Sequence, residues 1–177
     1  VNILLFEDGE WMWEFMDGSS EEEEMVNQMA RDGVTIVGGA GNMSGGNMVI
    51  IDQLKTGKSV TYTASCSGKP DEDVAKNDGV FFSFLWKDAA SNVKFELETP
   101  DGKSTGELSE GSGILKTGQY KIFYSREVSP KGTVMMKFGA STQDSDIVRG
   151  KFKIKVTSDK DQEIRCYVVD VTQPWSG

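Results

Sequence analysis

The spacing of apolar residues changes once along the chain, at about residue 58. Before that point, two short continuous apolar runs, "NILLF" (2–6) and "VTIVGG" (34–39), lie on either side of a strongly acidic segment. After it, apolar and polar residues alternate, as in strands with one buried and one solvated face. The change of period predicts two kinds of structure in this chain of 177 residues.

The first part predicts a strand, a helix and a second strand. Continuous apolar runs of this length are typical of strands that are covered on both faces. Between them, Ser20 is placed to cap a helix, Glu23 takes the capping-box position, and Gly33 is placed to end the helix. The acidic residues Glu21–Glu24 fall in the first turn, where the helix dipole favours negative charge. One apolar face of this helix is predicted from Met25, Val26, Met29 and Ala30.

Strand, helix and strand in this order predict a βαβ unit with parallel strands. A two-stranded sheet cannot bury both of its faces by itself. We therefore expect residues 1–47 to be a partial α/β segment of a larger domain, the remainder of which lies outside this sequence.

The second part predicts an antiparallel β-sandwich. The alternation is clearest in "KFKIKVTS", where Phe152, Ile154 and Val156 are separated by lysines. Turn sequences such as "PDGKS" and "SPKGT" separate the alternating segments. The fold class predicted is mainly β, with residues 48–177 forming a sandwich of jelly-roll or immunoglobulin-like type. Its predicted strands are 59–66, 79–86, 92–99, 120–127, 133–140, 151–158 and 163–171.

Composition excludes several classes of function. A net charge of −9 and a pI near 4.6 argue against a nucleic-acid partner, which would need clustered lysine and arginine. The chain has no histidine, so it lacks the commonest general base and cannot form a Ser-His catalytic pair by itself. No apolar run approaches the length of a membrane span, and none is predicted.

We predict no cofactor and no metal site. The acidic turns at Asp71–Asp73 and at Asp144 and Asp146 contain carboxylates of the kind that bind calcium. Neither turn matches an EF-hand loop, and solvated loops are the favoured interpretation. Structural calcium stays an alternative.

Two further features have open alternatives. Cys66 and Cys166 each lie in a strand-like run, and they form either a disulfide or two buried thiols. In "EWMWEF", Trp11, Trp13 and Phe15 occupy alternate positions. Packing on the sandwich or on the rest of the α/β domain is favoured for them over lining a peptide or sugar cleft.

The stretch "VTIVGGAGNMSGGN" has an unusual density of glycine around Asn42. It is a poor dinucleotide fingerprint, because the third glycine position falls on Ser44 and no helix signal follows. A plain linker explains Gly45 and Gly46, but not the "GGAGN" that directly follows an apolar strand.

A helix end, an apolar strand and "A-G-N" in this order resemble the segment of subtilisin-like serine peptidases (subtilases) that carries their oxyanion-hole asparagine. The matching residues are Ala30, Gly33, Val34, Thr35–Val37, Ala40, Gly41 and Asn42. The resemblance implies that Asn42 donates to the oxyanion of the tetrahedral intermediate. It also implies that Gly39, Ala40 and Gly41 contact the substrate, which for this family is a protein or peptide.

The resemblance is partial. Subtilases usually have Ala-Ala-Gly-Asn where this chain has Gly39–Asn42, and a cleft-lining Ser-x-Gly where it has Leu5–Glu7. Their Gly-Thr-Ser nucleophile motif and catalytic histidine are absent. Some subtilases, however, carry a β-sandwich inserted after the asparagine strand, which is where the predicted sandwich begins.

The sequence therefore predicts a fragment of a secreted subtilisin-like serine endopeptidase, extracellular or on the cell surface. It would supply the oxyanion-hole asparagine and a non-catalytic sandwich, and would be inactive alone. Its expected partners are the remainder of the peptidase domain and, through the complete enzyme, a protein or peptide substrate. The alternatives are an extracellular adhesion or carbohydrate-binding sandwich, and a degenerate, non-catalytic subtilase relative.

Overall fold

The computed structural model describes residues 2–6, 13–38, 49–66, 79–143 and 148–170. The first elements along the chain are strand β1 (Asn2–Phe6), helix α1 (Glu21–Arg31) and strand β2 (Val34–Gly38). Ten further strands follow: β3 (Val49–Leu54), β4 (Ser59–Cys66), β5 (Gly79–Trp86), β6 (Val93–Glu98), β7 (Ser104–Leu108), β8 (Ser112–Thr117), β9 (Tyr120–Val128), β10 (Val134–Thr142), β11 (Gly150–Ser158) and β12 (Gln162–Asp170).

These ten strands form two antiparallel sheets with a shared core. The six-stranded sheet has the order β3-β12-β5-β10-β9-β8, and the four-stranded sheet has the order β4-β11-β6-β7. The inward side chains of both sheets belong to one buried apolar cluster. The predicted mainly β fold with antiparallel sheets is confirmed, and each of the seven predicted strands lies within two residues of an observed one.

Aromatic rings fill the centre of this core. Phe95 from the four-stranded sheet packs on Phe84, Phe138 and Trp86 of the six-stranded sheet, with ring centroids 5.0, 5.8 and 5.8 Å apart. Buried aromatic side chains remove large apolar areas from water and gain further from edge-on contacts. These rings therefore join the two sheets at the centre of the core.

The outer faces of the two sheets differ in character. On the four-stranded sheet, lysines of β11 pair with glutamates of β6, with Lys153 Nζ 2.7 Å from Glu98 Oε1. On the six-stranded sheet, Leu85 and Met135 are 4% and 1% exposed, although neither belongs to the core between the sheets. The centre of the outer face of the six-stranded sheet, at β5 and β10, is thus buried as well.

Three strands were absent from the predicted set, namely β3, β7 and β8. β3 and β8 are the two edges of the six-stranded sheet, and β7 is an edge of the four-stranded sheet. An edge strand is paired on one side only and buries few side chains, so its sequence carries a weak alternation. Ile114 in β8, for example, is 71% exposed.

We predict that replacing Phe138 with alanine lowers the free energy of unfolding by about 3–5 kcal/mol, because the ring is fully buried and leaves a cavity. Ile114→Ala, on the exposed edge strand, should change it by less than about 0.5 kcal/mol. Equilibrium urea unfolding followed by circular dichroism measures both. Equal losses in the two variants would contradict the core described here.

Candidate functional site

The predicted site residues Gly39, Ala40, Gly41 and Asn42 lie outside the described residues. Their roles therefore stay predictions. The structure does describe the strand that leads to them, since β2 ends at Gly38. The predicted domain boundary after residue 47, Trp11 and the acidic turns at 71–73, 144 and 146 also lie outside the described residues.

β1 and β2 form a parallel pair in which Ile3 is opposite Thr35 and Leu5 is opposite Val37. Helix α1 connects them, so the βαβ arrangement predicted from the sequence is present. Parallel strands end at the same edge of their sheet. The carboxyl end of β2, at Gly38, therefore lies beside the carboxyl end of β1, at Phe6.

The sequence signals at the ends of α1 act as predicted. The Ser20 hydroxyl oxygen accepts a hydrogen bond from the Glu23 backbone N–H, and a Glu23 carboxylate oxygen accepts one from the Ser20 backbone N–H, each at 3.2 Å. This reciprocal pair is a capping box. At the other end, Gly33 has a φ of +86°, which a residue with a side chain rarely adopts.

The βαβ unit leaves much of its apolar surface exposed. None of the residues of α1 is buried, and Met25 on its predicted apolar face is 51% exposed. On the sheet, Ile3, Leu5 and Val37 are 68, 61 and 47% exposed. The sequence predicts that both faces of these strands are covered. In the described structure, the face with Ile3, Leu5 and Val37 is exposed.

Residues 13–19, which we call the strap, precede the cap of α1 in sequence and lie against the outer face of the six-stranded sheet. The ring of Trp13 packs edge-on against Phe81, with centroids 5.1 Å apart, and at 5.5 Å from Phe123. The Lys137 ammonium is 5.3 Å from the centroid of the same ring, a cation–π distance. Trp13 therefore follows the favoured prediction that these aromatic residues pack on the sandwich.

Asp17 is the polar contact between the strap and the sandwich. Its Oδ2 atom accepts hydrogen bonds from the hydroxyls of Ser129, at 2.6 Å, and of Thr133. Burial opposes the ionisation of Asp17, but the hydroxyls of Ser129, Ser19 and Thr133 and the positive charge of Lys87 outweigh it and lower its pKa to about 2. Asp17 is thus an anionic group held by neutral donors beside a lysine.

Sequence reasoning missed this contact. The sequence predicts no role for Asp17. The hydroxyl partners of Asp17 are 112 and 116 residues away in sequence, and no local pattern connects them.

The cysteines are two buried thiols and are not joined by a disulfide. Burial raises the pKa of Cys166 to about 12, against the opposing effect of a hydrogen bond with Tyr62. Because the thiolate is the reactive form of cysteine, Cys166 is unsuited to act as a nucleophile near neutral pH. The Tyr62 hydroxyl also donates to Asp52 at 3.2 Å, which links β4 to β3 across the edge of the sandwich.

Two absences hold for the described ranges. No three His, Cys, Asp or Glu side chains there are grouped so that they could hold a metal ion. The same part of the chain contains no helix long and apolar enough to span a membrane.

Comparison with known proteins finds a similarity among solved structures. No protein-family model and no curated protein sequence matches the chain. Among solved structures, the CspB protease of Clostridium perfringens is similar over 94% of this chain, with a TM-score of 0.76 and 20% sequence identity. The chain spans 35% of the length of that protease chain. At this identity the similarity shows a shared fold.

The Asp17 contact predicts a dependence of stability on pH. The pKa of Asp17 is lowered from 3.8 to about 2, so its contribution is present above about pH 4 and is lost as the pH falls towards 2. At pH 5 we expect Asp17→Asn to lower the free energy of unfolding by about 1–2 kcal/mol, allowing for solvent screening. Urea unfolding of both proteins at pH 5 and pH 2 should show this difference shrinking at pH 2. A difference that stays constant would contradict the assignment.

Proposed function

We propose that this chain is part of a subtilisin-like serine endopeptidase that hydrolyses protein or peptide substrates. The observation that carries the proposal is the fold similarity to the CspB protease over 94% of the chain. That share exceeds what residues 48–177 make up, so the similarity includes part of the first 47 residues. A likeness limited to a widespread sandwich fold would not extend into the βαβ unit.

In this proposal Asn42 supplies one side-chain N–H of the oxyanion hole. β2 is the strand that precedes it, and ligand sites in α/β sheets lie beyond the carboxyl ends of strands. A preorganised donor of this kind is worth about 3 kcal/mol of transition-state stabilisation. Gly39, Ala40 and Gly41 would let the substrate backbone approach closely, because they carry small side chains or none.

The other catalytic groups must come from outside these residues. The chain contains no histidine, so the general base of a Ser-His-Asp triad cannot be here. The chain alone would therefore be inactive, and the sandwich would be non-catalytic. On the basis of the subtilase resemblance, we also propose that the complete protein is extracellular or on the cell surface.

The exposed face of the βαβ unit supports a missing partner layer. Ile3, Leu5 and Val37 form an apolar strip on the side of the sheet that the described structure leaves exposed. We propose that the remainder of the peptidase domain covers it. The solved protease is nearly three times as long as the part matched by this chain, which leaves ample sequence for such a layer.

The direct test uses the complete protein encoded by the parent gene, which should contain the Asp, His and Ser segments of the triad. Asn42→Ala in that protein should lower kcat by about 10²–10³-fold, because one oxyanion donor is lost. Asn47→Ala, in the same glycine-rich stretch, is the matched control and should keep its activity. A parent gene without the triad segments, or an unchanged kcat for Asn42→Ala, would reject the proposal.

A second test addresses the missing layer. In the 177-residue chain, Leu5→Lys should change the free energy of unfolding by less than about 0.5 kcal/mol, because Leu5 is already 61% exposed. In the complete protein the same change should cost more than about 2 kcal/mol, since an unpaired charge would then be buried. Ile114→Lys is the control and should be tolerated in both. A Leu5→Lys protein that is equally stable in both contexts would show that this face stays exposed.

A further inference from the structure

The strap lies against the outer face of the six-stranded sheet, which carries apolar side chains at its centre beside the ion pair of Lys137 and Glu127. The opposite side, formed by the four-stranded sheet, carries solvated pairs such as Lys153–Glu98 and Lys155–Glu96. On the side of the strap, Leu85 and Met135 point away from the core and are nevertheless buried. The strap is part of what covers the centre of this face.

Trp13 is the apolar anchor of the strap. Its ring contacts Phe81 and Phe123, which come from two strands that each pair with β10. Between them in the sheet, Gly139 leaves space for the rings. A Cβ atom there would lie 3.2 Å from the Phe81 ring and 3.5 Å from Trp13. The sheet surface therefore fits this tryptophan closely.

Asp17 is the polar anchor. Its two hydroxyl partners, Ser129 and Thr133, are themselves 5% and 2% exposed and close the turn between β9 and β10. The Lys131 ammonium in the same turn donates to the backbone carbonyl oxygens of Asp17, at 3.0 Å, and of Gly18, at 2.5 Å. One turn of the sandwich thus binds both the side chain and the backbone of the strap.

The backbone of the strap is held in an unfavourable conformation. Trp13 and Met16 have φ values of +64° and +51°, in the left-handed region that large side chains rarely adopt. Such conformations persist only where surrounding contacts determine them. Ser20, the cap of α1, follows directly after the strap, so the start of the helix is fixed from the same contacts.

We propose that the strap couples the βαβ unit to the sandwich, with Trp13 and Asp17 as its two anchors, so that both parts move as one body. Residues 13–19 reach the sandwich through named ring contacts and hydrogen bonds, while α1 buries no residue of its own. The coupling is a property of this chain, and it does not depend on peptidase activity.

The test is nitrogen-15 relaxation of backbone amides in the 177-residue chain, which at 19.4 kDa is suitable for NMR. In the unaltered chain, amides of α1 should report the same rotational correlation time as amides of β5 and β10. In the double variant Trp13→Ala/Asp17→Asn, the correlation time of α1 should fall below that of the sandwich. Unchanged chemical shifts in β6 and β11, on the far sheet, would show that the sandwich is still folded.

Asp161→Asn is the matched control. Asp161 also joins two segments far apart in sequence, accepting from Lys55 Nζ at 2.9 Å and from the Thr56 backbone N–H at 2.8 Å, and these partners lie outside the strap. It should leave the common correlation time intact. The single variant Asp17→Asn keeps the Trp13 anchor. The correlation time of α1 should therefore fall less in it than in the double variant.

Three results would overturn the proposal. The first is separate correlation times for α1 and the sandwich in the unaltered chain. The second is a common correlation time that survives in the double variant. The third is the same loss of coupling in Asp161→Asn, which would indicate a general loosening of the chain.

Discussion

β5 carries apolar side chains on both faces, and the rest of the structure is arranged so that both faces are covered. Its residues Phe82 and Phe84 point into the core, whereas Phe81 and Leu85 point to the opposite side. A strand of this kind needs two covering layers, because each exposed aromatic face would cost several kcal/mol. The four-stranded sheet is one layer. The strap covers part of the other face. Because Ser20, the cap of α1, directly follows the strap, the start of α1 also lies near the sandwich.

The charged contacts on the four-stranded sheet differ from the one at the strap. Lysine–glutamate pairs on the four-stranded sheet are exposed, and such pairs add little to stability individually. Asp17 is different, because its carboxylate accepts from two buried hydroxyls and its pKa lies well below the usual range. A hydrogen-bonded carboxylate at a partly buried contact fixes geometry more firmly than an exposed ion pair does. Asp17 is therefore a charged side chain of the strap that contacts the sandwich.

The sequence predicts the central strands well and the edges and long-range contacts poorly. β11 is recognisable because Phe152, Ile154 and Val156 alternate with lysines, and α1 because its caps are local signals. β7 and β8 were missed because edge strands bury little and their sequences, "STGEL" and "SGILKT", are rich in small polar residues. The Asp17 contact could not be predicted, since it depends on a turn more than 100 residues away. The role of Asn42 is predicted from resemblance alone, and it stays a prediction because the residue lies outside the described ranges.

The positions of the two anchors bear on how an oxyanion donor at Asn42 could be held. Such a donor is effective only if it is preorganised, since its benefit comes from a geometry fixed before the reaction. β2, which precedes it, is paired only with β1 in the described structure, and both strands have an exposed apolar face. The described support for this unit is a capped helix whose start is fixed by the strap on the sandwich. In a complete peptidase the missing α/β layer would hold the unit from one side, and the sandwich would hold it from the other. Under the proposed function, the sandwich would thus contribute to catalysis without touching the substrate.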